Sequence, residues 1–186
     1  MNNKDKFELY AQTLREWSEK MNLVAPSTLA DIQTRHFADS AQLANVLPGD
    51  ASIIDLGSGA GFPGVVLAIL GYNVTCIESI GKKVAFLTEI KEKLGLSDLT
   101  IYHGRVEDFI AKTPVNAGKT VFTARAFAPL IKILDYVAKT KCRLFLLKGR
   151  EIESEINTAK TKYNFDYDLI KSETGDGFIT IIQNIR

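Results

Sequence analysis

The fold is decided by residues 53–64, which read Ile-Ile-Asp-Leu-Gly-Ser-Gly-Ala-Gly-Phe-Pro-Gly. An apolar run of the kind found in buried strands leads into four closely spaced glycines, and a second apolar run follows. Glycines between a strand and a helix let backbone amides approach a ligand closely, because no Cβ stands in the way. The stretch therefore predicts a strand, a turn and a helix that together bind a nucleotide-type cofactor.

Two cofactor classes fit this stretch. Residues 59–64 satisfy the G-x-G-x-x-G pattern of dinucleotide sites, and Glu78, at the end of the next apolar run, stands where an acid can accept a ribose hydroxyl. Asp55 favours the other class, because a carboxylate two residues before the first glycine would repel a pyrophosphate at the helix N-terminus. S-adenosylmethionine has no phosphate and carries an ammonium next to a sulfonium. We therefore expect S-adenosylmethionine, with a NAD-type site as the alternative.

The composition is that of one compact domain. Hydrophobic residues make up 46% of the 186 residues, which is enough for a substantial core. No apolar run approaches the roughly 20 residues of a membrane span, and the first residues lack the apolar segment of a signal peptide. We expect a cytoplasmic protein without membrane contact and, by default, a monomer.

No metal site is predicted, because His36 and His103 are far apart and have no Cys or carboxylate at ligand spacing. Cys76 and Cys142 both lie inside apolar runs. This placement predicts buried free thiols rather than a disulfide.

The net charge of +1 conceals an uneven distribution. Residues 82–150 hold fourteen basic and six acidic side chains, an excess of eight positive charges. Such a concentration suits a polyanion, whose phosphates release counterions when Lys and Arg neutralise them. The candidates for binding the phosphates of such a polyanion are Lys82, Lys83, Lys148 and Arg150. The alternative is that these charges form ordinary solvated faces.

Strand and helix patterns alternate along the chain. Strands are predicted near 52–56, 73–78, 98–103, 119–124 and 142–148, and helices near 63–71, 81–95, 105–111, 127–140 and 150–162. This alternation predicts an α/β fold, a mostly parallel sheet with helices on both faces. A short turn between strands 165–171 and 178–185 predicts an antiparallel final strand. Helical spacing over 3–20 and 28–46 predicts an N-terminal helical extension, residues 1–50, on a core of residues 51–186.

Ligands of such sheets collect at the carboxyl ends of the strands. Asp55, Glu78, Arg105 with Glu107, Arg125 and Lys148 all fall at or just after a predicted strand end. The carboxylate and glycine pattern, together with the reversed final strand, resembles class I S-adenosylmethionine-dependent methyltransferases, which have a Rossmann-like fold.

Motifs along nearly the whole chain carry a closer resemblance. They are Trp17 with Asn22-Leu23-Val24, Arg35-His36-Phe37-Ala38-Asp39-Ser40, the stretch from Asp55 to Gly64, Glu78-Ser79-Ile80-Gly81-Lys82-Lys83 with Phe86-Leu87, Arg105-Val106-Glu107, Thr123-Ala124-Arg125-Ala126-Phe127, and Leu147-Lys148-Gly149. The chain resembles the glucose-inhibited division protein B family, the bacterial enzymes that methylate N7 of a guanine in small-subunit ribosomal RNA. The Phe-Pro-Gly and Arg-Ala-Phe segments are more specific than any glycine pattern.

The resemblance implies a substrate and a set of cofactor contacts. The implied substrate is guanine-527 in the 530 loop of 16S ribosomal RNA, in the small ribosomal subunit. In the family, S-adenosylmethionine is associated with the positions that match Gly57, Phe62, Val106, Glu107 and Arg125.

The predicted chemistry needs no general base. Guanine N7 carries a lone pair and no hydrogen, so the enzyme has mainly to hold N7 in line with the methyl carbon, about 3 to 3.5 Å away. Residues 123–126 read Thr-Ala-Arg-Ala where adenine-amino methyltransferases place an Asn or Asp before Pro-Pro and an aromatic. The Pro-Cys nucleophile of cytosine-C5 enzymes is also absent from the sequence.

Roles for individual residues are hypotheses. We expect the cofactor to be bound by Asp55, Gly57, Ser58, Gly59, Gly61, Phe62, Glu78, Val106, Glu107 and Arg125. Asp55 and the glycine backbone are expected at the methionine end of the cofactor and Glu78 at the ribose hydroxyls. The adenine is expected against Val106 and Glu107.

Arg125, Lys148 and His36 are the candidates for catalytic residues. Arg125 can serve the cofactor carboxylate or the acceptor nucleotide, or form an ion pair with Glu107 or Asp55. His36, Asp39 and Ser40 share one helix face by their i, i+3, i+4 spacing, so they either cover the cofactor or form a helix-packing cluster.

Two other functions remain open from the residues alone. One is methylation of a small molecule on the same fold. The other is a NAD-type oxidoreductase or a nucleotide-binding module.

Overall fold

The computed structural model describes all 186 residues and contains one seven-stranded sheet. The strands are β1 (Ser52–Leu56), β2 (Asn73–Glu78), β3 (Leu99–His103), β4 (Thr120–Arg125), β5 (Arg143–Lys148), β6 (Asp166–Lys171) and β7 (Phe178–Gln183). Their order in the sheet is β3-β2-β1-β4-β5-β7-β6. The pairs among β1 to β5 are parallel, and β7 lies antiparallel between β5 and β6. The predicted parallel sheet with one reversed final strand is confirmed.

Helices cover both faces of the sheet. They are α1 (Asn3–Ser18), α2 (Pro26–Leu29), α3 (Asp39–Ala41), α4 (Gly64–Ile69), α5 (Gly81–Leu94), α6 (Val106–Lys112), α7 (Leu130–Val137) and α8 (Ile152–Lys160). No helix combines the length and apolar character that a membrane span needs.

Alternate residues of the central strands enter two separate cores. Ile53 of β1 and Phe145 of β5 pack with α1, α4 and α5, whereas Ile54 of β1 and Phe122 of β4 pack with α6, α7 and α8. Successive side chains of a strand point to opposite faces, so a sheet that is covered on both sides needs apolar residues at almost every position. This explains the uninterrupted apolar runs of the sequence.

The predicted helix over residues 28–46 is wrong as a continuous element. The chain forms α2, a π-helical turn over Gln33–Ala38, α3, and a 3₁₀ turn over Gln42–Asn45. Changes in helical repeat of this kind alter which side chains share a face, and apolar spacing alone does not reveal them.

The N-terminal segment packs directly on the sheet's helical layer. Tyr10 and Leu14 of α1 are completely buried in the same core as Phe86 of α5. The division of the chain at residue 50 stays a prediction.

Candidate functional site

The glycine turn between β1 and α4 has the backbone that its sequence requires. Gly57, Gly59 and Gly61 adopt φ angles of 64°, 58° and 90°, a region that residues with a Cβ disfavour. A Cβ on Gly57 would also collide with the ring of Phe127. The backbone of this turn is therefore open to a ligand only because glycine occupies these positions.

Asp55 lies beneath this turn rather than at its opening. Its side chain is completely buried, and it accepts hydrogen bonds from the Gly64 N–H at 3.2 Å and the Thr123 hydroxyl at 3.1 Å. Burial raises the pKa of Asp55 to about 6, although these hydrogen bonds oppose the increase. The structure therefore disagrees with the expected direct contact between Asp55 and the methionine end, since the carboxylate holds the start of α4 from inside.

Glu78 binds the turn from the end of β2. One carboxylate oxygen accepts the Gly59 N–H at 2.9 Å and the other accepts the Ile80 N–H at 2.8 Å. Each oxygen keeps a second lone pair, so a ribose hydroxyl can still donate to this carboxylate.

A cavity of about 260 Å³ opens beside Glu78. Its lining includes Gly57, Glu78, Val106 and Glu107, so these four expected cofactor residues are brought together. Lys83 and Arg105 also line this cavity, as do two aromatic residues that the site prediction missed, Phe127 and Tyr136. The Arg-Ala-Phe segment was the available signal for Phe127.

The other six expected cofactor residues do not line this cavity. They are Asp55, Ser58, Gly59, Gly61, Phe62 and Arg125. Ser58 and Gly61 are buried in the turn, where a Cβ on Gly61 would lie 2.5 Å from the Tyr10 hydroxyl. Phe62 is also buried, stacked between Tyr10, with ring centroids 5.5 Å apart, and His36, with centroids 4.8 Å apart. Phe62 thus joins the turn to the N-terminal segment.

A second cavity, of about 590 Å³, adjoins the first. The two cavities share Ala126 and Phe127, which follow β4 and lie where the cavities meet. The larger cavity is bounded by the N-terminal segment on one side and by the turn between β6 and β7, residues 172–177, on the other.

Arg125 lines the larger cavity only. Its guanidinium donates to the Arg35 carbonyl and to Asp39 Oδ2, both at 3.0 Å, and lies 4.7 Å from the centroid of the Phe62 ring. The alternative ion pair with Glu107 or Asp55 is not formed, because Asp39 of the N-terminal segment is the acidic partner.

His36 is neutral and has both ring nitrogens engaged. Arg125 Nη2 lies 2.6 Å from Nδ1, which must accept, so the proton is on Nε2, which lies 2.8 Å from the Thr28 hydroxyl. Burial and the charge of Arg125 lower the pKa of His36 to about 4. His36 and Asp39 line the larger cavity, whereas the Ser40 hydroxyl is buried without a hydrogen-bond partner. The structure therefore places His36, Asp39 and Ser40 away from the smaller cavity.

Lys148 is paired within the protein. Its ammonium donates to Glu155 at 2.6 Å and to the Ala128 carbonyl at 2.7 Å, and the side chain is 9% exposed. By contrast, Lys82 and Arg150 are exposed and Lys83 is half-buried. The predicted contact between Lys148 and RNA phosphate is thus opposed by an internal ion pair that no local sequence pattern reveals.

The fold has relatives among known methyltransferases. The chain is similar to a SAM-dependent methyltransferase from Aquifex aeolicus, with a TM-score of 0.59 and 13% identity over 94% of this chain and 97% of that one. It is also similar to an rRNA methylase from Streptococcus thermophilus, with a TM-score of 0.53 and 13% identity over 77% of this chain and 92% of that one. These likenesses confirm the class I methyltransferase fold.

Sequence comparisons give closer relatives. Residues 3–174 match the GidB family, described as rRNA small subunit methyltransferase G. Proteins named ribosomal RNA small subunit methyltransferase G are 42% identical in Hyphomonas neptunium, over 97% of this chain and 87% of the relative, and 40% identical in Methylobacterium nodulans, over 90% and 81%.

Gly57→Ala is expected to weaken S-adenosylhomocysteine binding at least about 10-fold, measured by calorimetry. The added Cβ collides with Phe127 and meets a backbone angle that costs about 1 to 2 kcal/mol. Gly71→Ala is the matched control, because Gly71 also has a positive φ, of 99°, but open space around the Cβ position. Equal affinity in the two variants would contradict the assignment of the smaller cavity to the cofactor.

Asp55→Asn is expected to change how stability depends on pH. The folded protein holds the Asp55 proton more tightly than the unfolded chain, so this group lowers the free energy of unfolding as the pH rises from about 4 to about 6. The variant should therefore gain up to about 3 kcal/mol relative to the wild type over this range, measured by urea denaturation. His36 has the opposite dependence in both proteins, so only their difference is informative. Parallel curves for the two proteins would contradict the burial of a titrating Asp55.

Proposed function

Because the chain belongs to the GidB family of small-subunit ribosomal RNA methyltransferases, we propose that it methylates N7 of a guanine in 16S ribosomal RNA with S-adenosylmethionine. The observation that supports this most directly is that two cavities meet at Ala126 and Phe127, which line both of them. Donor and acceptor ligands held in cavities that meet at the same residues can approach to reacting distance, which is the main requirement of methyl transfer.

The residues of the smaller cavity fit S-adenosylmethionine. Glu78 offers a carboxylate for the ribose hydroxyls, Val106 offers an apolar surface for the adenine, and Gly57 leaves the turn open where a Cβ would fill it. When bound, the cofactor supplies an electrophilic methyl group on a positively charged sulfur. The contribution of the protein is to orient it and to exclude water.

The larger cavity suits the acceptor nucleotide. Bases that are turned out of RNA stack on aromatic rings or on guanidinium planes, and this cavity offers Phe127 and Arg125. Arg125 faces only this cavity, which supports a role toward the acceptor rather than toward the cofactor carboxylate. His36 is not needed as a base, because N7 has no proton to lose and both ring nitrogens of His36 are already engaged.

Exposed cations flank the two cavities and support binding of RNA. Arg35 and Arg105 are exposed and line the larger and the smaller cavity, respectively. Arg150 follows β5 at the same edge of the sheet, and Lys82 lies in the first turn of α5 after β2. Because Lys148 is already paired, we place the phosphate contacts on the exposed residues instead.

The comparisons with known proteins do not support the two alternative functions. A NAD-type oxidoreductase does not fit the GidB family, and methylation of small molecules does not fit relatives named for ribosomal RNA. A monomeric state and a cytoplasmic location stay predictions.

The function is tested by incubating the purified protein with labelled S-adenosylmethionine and small-subunit particles from cells that lack this methylation. One guanine should become labelled, and it should become sensitive to cleavage at N7-methylguanine. The Gly57→Ala variant serves as the impaired control and Gly71→Ala as the active one. Label on another base, or transfer to free metabolites but not to the particle, would contradict the proposal.

Arg150→Ala is expected to lower the salt slope of RNA binding by about 0.7 to 1, because one phosphate contact is lost. Lys148→Met should leave the slope unchanged, since its ammonium is held by Glu155 and the Ala128 carbonyl. Both slopes are measured from binding affinities at several salt concentrations. If Lys148→Met lowered the slope and Arg150→Ala did not, the phosphate contact would belong to Lys148 and the proposal for Arg150 would be wrong.

A further inference from the structure

We propose that Thr174 and Gln42 are positioning residues for Arg125, which they hold through the carboxylate of Asp39. The inference rests on the proposed function and identifies the part of the chain that orients the acceptor guanine. We call the side chains of Thr174, Gln42 and Asp39 the relay. None of these three residues lies on β1 or β2, the strands next to the glycine turn.

Asp39 joins three distant parts of the chain. Oδ1 accepts from the Thr174 hydroxyl at 2.7 Å and from Gln42 Nε2 at 3.0 Å, and Oδ2 accepts from Arg125 Nη1 at 3.0 Å. The Asp39 and Arg125 side chains are about one-fifth exposed, so water screens their ion pair only in part. Both oxygens of the carboxylate are therefore fixed by protein donors.

Gln42 ties this carboxylate to the turn between β6 and β7. The buried Gln42 Nε2 shares its two N–H groups among Asp39 Oδ1, the Asp39 carbonyl at 2.9 Å and the Ser172 hydroxyl at 3.0 Å, while Gln42 Oε1 accepts the Glu173 N–H at 3.2 Å. A backbone N–H can only donate, so it fixes the amide oxygen toward Glu173 and Nε2 toward Asp39 and Ser172. Asp39 is thus held from two sides and has little freedom to follow Arg125 if that side chain moves.

With these contacts formed, the Arg125 guanidinium still has N–H donors that can bind a ligand. A guanidinium has five N–H donors. Three are engaged, with the Arg35 carbonyl, Asp39 and His36, while the Phe62 ring supports one face. Two donors remain in a side chain that lines the acceptor cavity.

Guanine has two acceptors on its major-groove edge, O6 and N7. N7 must keep its lone pair for the methyl group, so O6 is the acceptor that Arg125 can bind there. A hydrogen bond to O6 from a guanidinium held in place orients the neighbouring N7 toward Ala126 and Phe127, where the two cavities meet. Orientation of this kind is worth large factors in rate, because small misplacements of reacting atoms are costly.

Thr174→Val tests the relay, because it keeps the shape of the side chain and removes the hydroxyl. We expect kcat on small-subunit particles to fall about 10-fold, with S-adenosylhomocysteine affinity unchanged. Thr174→Ser restores the hydroxyl and should recover most of the rate. Gln42→Met, which preserves the volume of a buried side chain, is the second variant and should lower kcat in the same way.

Tyr163→Phe is the matched control, because it also removes a 2.7 Å hydrogen bond to an aspartate, Asp135, but lines neither cavity. Equal losses of rate in Thr174→Val and Tyr163→Phe would overturn the relay in favour of general destabilisation. Unchanged kcat in Thr174→Val and Gln42→Met would overturn it too, as would weaker cofactor binding. A wild-type protein that does not methylate guanine N7 would instead refute the proposed function.

Discussion

The buried carboxylate of Asp55 is the constraint on which the site depends. It joins the end of β1 to Thr123 of β4 and to Gly64, the first residue of α4, so it fixes both ends of the glycine turn. The turn then exposes its backbone to a ligand without being free to collapse into the space beneath it. A Cβ on Gly64 would lie 2.7 Å from Asp55 Oδ2 and 2.6 Å from Cys76 Sγ, so this arrangement also requires the fourth glycine.

The N-terminal segment packs against the glycine turn and supplies part of the lining of the larger cavity. Phe62 extends from the turn into a cluster of rings that includes Tyr10 and His36, and the Arg125 guanidinium lies over the Phe62 ring. The Tyr10 hydroxyl donates to the Ala60 carbonyl within the turn itself. Residues that follow the strand ends therefore line the smaller cavity, whereas the larger cavity also requires residues from the two ends of the sequence.

Sequence patterns predicted the sheet and half of the site. Strand alternation and glycine spacing are local, and they placed Gly57, Glu78 and Glu107 at one edge of the sheet, where these residues line one cavity together with Val106, which the family resemblance supplied. What could not be predicted depends on contacts between residues far apart in sequence. Arg125 pairs with Asp39 across 86 residues, and the burial of Asp55 depends on the helix packed over it. Lys148 is a second example. The basic composition around it suggested that Lys148 binds RNA phosphate, but in the fold its ammonium pairs with Glu155.

Ala126 and Phe127 line both cavities, so an occupant of either cavity lies against residues that shape the other. If a ligand on one side shifts the Phe127 ring, it changes the shape that the other side offers to its own ligand. Linkage requires the effect to be equal in both directions, so a cofactor that favours RNA is favoured by RNA to the same degree. Movement of this one aromatic ring is thereby enough to couple the two binding affinities.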